Sequence, residues 1–204
     1  MNNYLIYALG FLAQSLFGAR SVVQWYLSEK ETKVVSPTLF WIFSITGSSL
    51  FLTYGLIRHD LVILIGQSIS FYIYVRNLQL KKVWILIPKM LQTLILLIPP
   101  TILLFAFQQR IYFEFESGSI LIISMGITGQ LLLNCRYLYQ WYFSEKANES
   151  VLPLGFWVIS AVASVFVVVY SIYRKEPVLL VAQSLGILVY LRNIIIYRKD
   201  LVQG

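Results

Sequence analysis

Slid along itself by 116 residues, the chain lays 14–77 on 130–193 without a gap, and 24 of the 64 aligned pairs are identical. An internal repeat on this scale limits the fold to two copies of one unit. The matches favour polar and aromatic positions over bulk apolar ones. Gln14, Arg20, Gln24, Trp25, Ser28 and Glu29 recur as Gln130, Arg136, Gln140, Trp141, Ser144 and Glu145. Pro37, Phe40, Trp41, Ser44 and Tyr54 recur as Pro153, Phe156, Trp157, Ser160 and Tyr170. Gln67, Ser68, Tyr74, Arg76 and Asn77 recur as Gln183, Ser184, Tyr190, Arg192 and Asn193.

Seven apolar runs carry these residues, at about 4–27, 37–57, 60–80, 83–107, 119–142, 153–173 and 177–197. Each is long enough to cross a hydrocarbon core of about 30 Å at about 1.5 Å per residue. Apolar residues make up 58% of the chain and charged residues 12%, too few to coat a soluble fold of 204 residues. The reading is an all-α, polytopic membrane protein. Pro37 and Pro153 open the second and sixth runs, where a first helical turn tolerates proline. Arg58-His59-Asp60 and Arg174-Lys175-Glu176-Pro177 form turns, and 108–118 is the longest loop. Residues 1–27 lack a basic start and a small-residue cleavage site, so the first helix is expected to be retained.

Each repeat holds three runs, and three is odd. The unmatched fourth run restores the second copy to the orientation of the first. The expected layout is therefore 3+1+3: a first repeat over 1–80, a linker helix and loop over 81–118, and a second repeat over 119–204. The two repeats are expected to run parallel, about an axis along the membrane normal. Seven Lys and Arg residues flank one side and four the other, which places the N-terminus outside and the C-terminus in the cytoplasm. All five Trp residues fall near the proposed cytoplasmic interface, where an aromatic belt accounts for them, Trp84 included. The surplus of 16 Lys and Arg over 9 Asp and Glu is a topology signal, not a nucleic-acid footprint. Cys135 is the lone cysteine, and His59 has no ligand neighbour, so no metal or cofactor is expected.

Arg20, Arg76, Lys89, Arg136 and Arg192 lie inside the runs, in the cytoplasmic third. Snorkelling to headgroups accounts for Arg76, Lys89 and Arg192. Arg20 and Arg136 are deeper, each with a Gln one turn on. They either serve function or pair with Glu29 or Glu145 from a neighbouring helix end. On a helical wheel Gln14, Phe17, Ser21, Gln24, Trp25 and Ser28 share a face, with Arg20 at its edge. Gln67, Phe71, Tyr74 and Asn77 share another. Facing repeats would line one path with Gln14, Gln67, Gln130 and Gln183, or use these glutamines as interhelical glue. Cations without carboxylates suggest an anion, and Arg suits phosphate. No Gly-rich loop, His–carboxylate pair or activated nucleophile is visible, so catalysis is not expected.

The pattern Arg20, Gln24-Trp25, Ser28-Glu29, Pro37, Phe40-Trp41, Ser44, Gly66-Gln67, Tyr74, Arg76-Asn77 resembles the lipid A biosynthesis N-terminal domain family. It recurs in the second repeat, with Ala182 in place of the glycine. That family is a membrane module found ahead of some lipid-A-disaccharide synthases of Gram-negative bacteria. The layout is also similar to the PQ-loop and SWEET transporter group, with Ala13-Gln14 and Gly129-Gln130 where that group has Pro-Gln. The resemblance implies a bacterial inner-membrane protein that binds and moves an anionic glycolipid or lipid-linked sugar. In that reading Arg20 and Arg136 hold phosphate, and Arg76 and Arg192 are second contacts. Gln14, Gln24, Gln67, Tyr74, Asn77, Gln130, Gln140, Gln183, Tyr190 and Asn193 bind the remainder. Two alternatives stay open. One is a neutral-sugar facilitator. The other is a partner subunit that anchors a glycosyltransferase through Trp25, Glu29, Trp41, Trp141, Glu145 and Trp157.

Overall fold

The computed structural model describes residues 3–110, 120–174 and 177–203. They form seven long helices: α1 (Asn3–Glu31), α2 (Thr38–Ile57), α3 (Leu61–Leu80), α4 (Lys89–Gln108), α5 (Ile120–Ala147), α6 (Leu154–Arg174) and α7 (Pro177–Gln203). Among the described residues six of them, all but α3, are long and apolar enough to cross a bilayer. The 20-residue α3 carries Gln67, Ser68, Ser70, Arg76 and Asn77. The chain is thus an all-helical, multi-pass membrane protein. The expected loop at 108–118 and the turn through Lys175 and Glu176 fall mostly outside the described residues.

The helix ends have local causes. Asp60 caps α3 by accepting the Ile63 backbone N–H at 3.0 Å. Thr32 and Asn148, 116 residues apart, close α1 and α5 with positive φ values of 56° and 52°. His59, exposed, makes the same left-handed turn between α2 and α3. The fourth helix corrects the expectation of a start near 83. A single 3-10 turn occupies 84–86, Pro88 adopts an extended ψ of 139°, and α4 begins only at Lys89. Lys89 is therefore an exposed residue of a first helical turn, not a cation inside a membrane run. The proline ring prevents the helix from continuing back through 88.

The helices form two compact units. The first takes Met1–Arg20 and Thr38–Glu114, the second Ser21–Pro37 and Phe115–Gly204, so α1 contributes its two parts to different units. In the first unit α2 packs on α3 and less extensively on α4, around Phe40, Trp41, Leu52, Leu64 and Phe71. In the second, α6 packs between α5 and α7 around Phe156, Trp157, Ala163 and Val167. Trp41, Trp84 and Trp157 are at most 7% exposed. The aromatic belt thus fails for three of the five tryptophans, because their rings fill the helix packing. Trp25 and Trp141 alone keep substantial exposure, at 37% and 42%.

Close approach of the first two helices of each repeat depends on small residues. A Cβ on Gly47 would lie 2.8 Å from the Phe17 ring and 3.4 Å from the Ala13 carbonyl. A Cβ on Gly129 would lie 2.7 Å from Val167 and 3.1 Å from the Ala163 carbonyl. Positions 13 and 129 are repeat equivalents, as are 47 and 163. Each repeat therefore spends one glycine and one alanine on the same crossing, with the roles exchanged. A Cβ on Gly126 would be tighter still, 2.6 Å from Tyr170 Cδ2, whereas a Cβ on Gly18 meets nothing within 4 Å. Gly126→Ala is expected to cost about 1–3 kcal/mol by overpacking. Gly18→Ala is expected to be neutral or to gain up to about 1 kcal/mol of helix propensity. Thermal unfolding in detergent distinguishes them, and equal effects would sink the close-packing account.

Candidate functional site

Arg20 lies on α1, 6% exposed, inside a box built by three helices. Its Nη1 donates to the Ser44 hydroxyl at 2.7 Å. That hydroxyl donates its own proton to the Phe40 carbonyl at 2.6 Å, so its lone pairs face the cation. The guanidinium carbon sits over the rings of Phe17, Phe40 and Tyr74, 4.5, 5.2 and 5.6 Å from their centroids. Trp41 backs the box, packing edge-on against Phe40 at 4.8 Å and tilted against Tyr74 at 6.0 Å.

The second repeat rebuilds this box around Arg136 on α5, 7% exposed. Nη1 donates to Ser160 at 3.0 Å and to the Tyr190 hydroxyl at 3.1 Å, and Nη2 to the Tyr137 hydroxyl at 3.4 Å. The rings of Tyr137, Phe156 and Tyr190 lie 4.9, 5.3 and 5.5 Å away. Trp157 meets Phe156 at 4.9 Å and Tyr190 at 6.1 Å. Four members of the box (Arg, Phe, Trp-backed Tyr and Ser) hold the 116-residue offset. The third ring does not: Phe17 sits a turn before its arginine, and Tyr137 directly after. Each ring contact contributes about 0.5–2 kcal/mol, which offsets part of the cost of a cation in a membrane helix. The proline-to-serine motif of the second helix had marked Phe40, Ser44, Phe156 and Ser160 as repeated. Only the packing shows that they surround the arginines.

The glutamines divide into three pairs. Gln24 and Gln140 are fully buried. Gln24 Nε2 donates to Ser28 at 2.8 Å, to the Val35 carbonyl at 3.3 Å and to Asn193 Oδ1 at 2.7 Å. Asn193 Nδ2 returns a bond to Gln24 Oε1 at 3.1 Å and another to the Val189 carbonyl at 2.9 Å. Gln140 reaches Ser144 at 2.7 Å and the Val151 carbonyl at 2.8 Å. Ser28 and Ser144 in turn accept from Val35 and Val151 N–H, pinning the loop after each first helix back onto that helix. Gln67 and Gln183 accept from Ser48 and Ser164, each within its own unit, at 3.0 and 2.7 Å. Gln67 and Gln183 thus bind their own repeat's chain, whereas Gln24 also reaches Asn193 of the second repeat. Gln14 and Gln130 are half-buried on α1 and α5. Asn77 is fully buried and donates to the Ile73 carbonyl at 2.9 Å.

The acids depart from expectation. Glu29 takes Arg192 as its partner, not Arg20. Arg192 Nε meets Oε1, and Nη2 meets Oε2 at 2.9 Å, a bidentate pair between α1 and α7. Arg192 is therefore held by a carboxylate, because α7 places its guanidinium level with the last turn of α1. Trp25 Nε1 also donates to Glu29 at 2.8 Å, and Trp141 repeats the contact on Glu145 at 2.8 Å. Arg76 donates to Gln79 Oε1 at 3.2 Å. Among the described residues no three His, Cys, Asp or Glu side chains gather where a metal would sit.

The profile of the Lipid A Biosynthesis N-terminal domain matches the chain twice, over 9–79 and 125–195, again 116 residues apart. Both boxes fall inside the matched stretches. The chain is also similar to lipid-A-disaccharide synthases. Identity is 26% with that of Chlamydia pneumoniae, over 97% of this chain and 34% of the relative. It is 29% with that of Chlamydia abortus, over 96% and 34%, and 27% with that of Chlamydia felis, over 97% and 34%. The chain thus spans about a third of the length of these curated relatives. No solved structure matches it.

Proposed function

We propose, from the premise that this chain belongs to the Lipid A Biosynthesis N-terminal domain family, that it binds and translocates an anionic, phosphate-bearing glycolipid or polyprenyl-phosphate sugar. The observation that carries the reading is the pair of arginines in repeated aromatic boxes. A guanidinium stays charged at any physiological pH and binds phosphate through the edge of its plane. Rings over its faces fix that plane and leave recognition to the edge. Both arginines are nearly enclosed, so the ligand enters when a box opens, as a carrier requires.

In this proposal the helices adopt a 3+1+3, SWEET-like arrangement of parallel repeats in the bacterial inner membrane. The N-terminus is periplasmic and the C-terminus cytoplasmic. The protein moves its ligand without transforming it. A second reading rests on the lengths of the relatives. They are named lipid-A-disaccharide synthases and extend to about three times this chain, so the module would present a glycolipid to a glycosyltransferase partner. Native mass spectrometry of gently purified protein tests both. A phosphorylated glycolipid retained by the wild type and lost in Arg20→Ala/Arg136→Ala is the expected result. Bulk phospholipid alone in both samples would overturn the anion site.

A further inference from the structure

We propose that Tyr72 latches a proline hinge in α4: its hydroxyl stands in for a backbone donor that Pro100 lacks, and its release lets the C-terminal part of α4 bend. The helix runs from Lys89 to Gln108 straight through Pro99 and Pro100. A helical N–H donates to the carbonyl four residues back, and proline has no N–H. Pro99 and Pro100 therefore withhold two consecutive ladder bonds, those to the carbonyls of Ile95 and Leu96. Each ring also crowds the carbonyl four residues before it, which favours a bend. Inside a bilayer no water replaces a lost donor, but a neighbouring helix can. Tyr72 on α3 does so, its hydroxyl donating to the Leu96 carbonyl at 3.1 Å.

The repeat equivalent of Tyr72 is Leu188, which has no hydroxyl. The hydroxyl thus belongs to the copy whose second and third helices pack on α4, and α4 itself lies outside both matched stretches. The N-terminal part of α4 is anchored, because Gln92 Nε2 donates to the Trp84 and Ile87 carbonyls at 3.0 and 2.8 Å. Pro99 is fully buried, so the pivot stays seated while the helix beyond it moves. Ala106, 2% exposed, is the residue such a bend uncovers. Tyr72 is 43% exposed, so its hydroxyl can leave Leu96 without disturbing the packing of α2 on α3. One side-chain bond across a gap in the backbone ladder is easily exchanged, whereas an intact ladder breaks only bond by bond.

The test is hydrogen–deuterium exchange of the full chain in detergent, read by mass spectrometry. In Tyr72→Phe the amides of 101–104, which donate back across the proline pair, should exchange about three- to tenfold faster than in the wild type. Tyr72→Leu, which copies the second repeat, should do the same, and α2 should keep its wild-type rates in both. Two proline variants check the register. Pro100→Ala returns an N–H to the Leu96 carbonyl, so adding Tyr72→Phe to it should change little. Pro99→Ala returns one to Ile95 instead, so there the full Tyr72→Phe effect should remain. Equal exchange in wild type and Tyr72→Phe would overturn the latch. So would a Tyr72→Phe effect undiminished by Pro100→Ala, or an acceleration spread evenly over α2 and α6, which marks a global loss of stability.

Discussion

The Arg20→Ala/Arg136→Ala protein is expected to fold and to lose its phosphorylated glycolipid completely. Opposing effects on stability are of similar size. Each substitution forfeits ring contacts of about 0.5–2 kcal/mol and opens a cavity where a large side chain stood. It also removes a membrane-embedded cation that costs about 2.5–3.5 kcal/mol on insertion scales. Ser44 and Ser160 keep a partner for their protons, because each already donates to a carbonyl one turn back. The net change per site should stay within about 2 kcal/mol, small against a cooperative membrane fold. In the proposed site, loss of the guanidinium removes the donors that would hold the phosphate. Size-exclusion chromatography and circular dichroism check the fold, and native mass spectrometry checks the lipid. A folded double variant that still retains the glycolipid would refute the assignment. Each single variant should keep about half the occupancy, since each box is built around its own arginine.

Asn193→Leu should lower stability by about 1–3 kcal/mol, the cost of leaving a buried polar group without its partner. Asn193 and Gln24 exchange two hydrogen bonds and are both fully buried. With Asn193 gone, Gln24 Oε1 loses the donor of that exchange. Gln24→Leu should cost more, because Gln24 also holds the Val35 carbonyl and Ser28. The Gln24→Leu/Asn193→Leu double variant should be less destabilised than the sum of the two singles, with a coupling of about 0.5–3 kcal/mol. Interhelical hydrogen bonds in membranes average about 0.6 kcal/mol, because polar groups find other partners there. The larger figure applies here because the pair is sealed within the packing. Thermal unfolding in detergent gives the cycle, and additive single effects would refute the pairing.

The repeat, the apolar runs and the 116-residue offset are properties of residue order, and they carried the helical class, both bounds of α2, α3 and α6, and one bound of each of the other helices. Helix periodicity is local, and proline or a capping Asp acts within one turn. Pro88 acted locally too, but the apolar run 83–87 masked it, so α4 began later than expected. The sequence also singled out Arg20 and Arg136, because a cation in an apolar run is costly wherever it packs.

Partners were a different matter. Order alone left Arg20 open between function and a pair with Glu29 or Glu145, and it left the tryptophans as an interfacial belt. Only the tertiary structure set Glu29 against Arg192, closed Gln24 onto Asn193 and buried Trp41 and Trp157 behind the arginine boxes. Those contacts join residues up to 169 positions apart. Helical periodicity says which face a side chain shares, but which helix meets that face depends on packing across the whole chain.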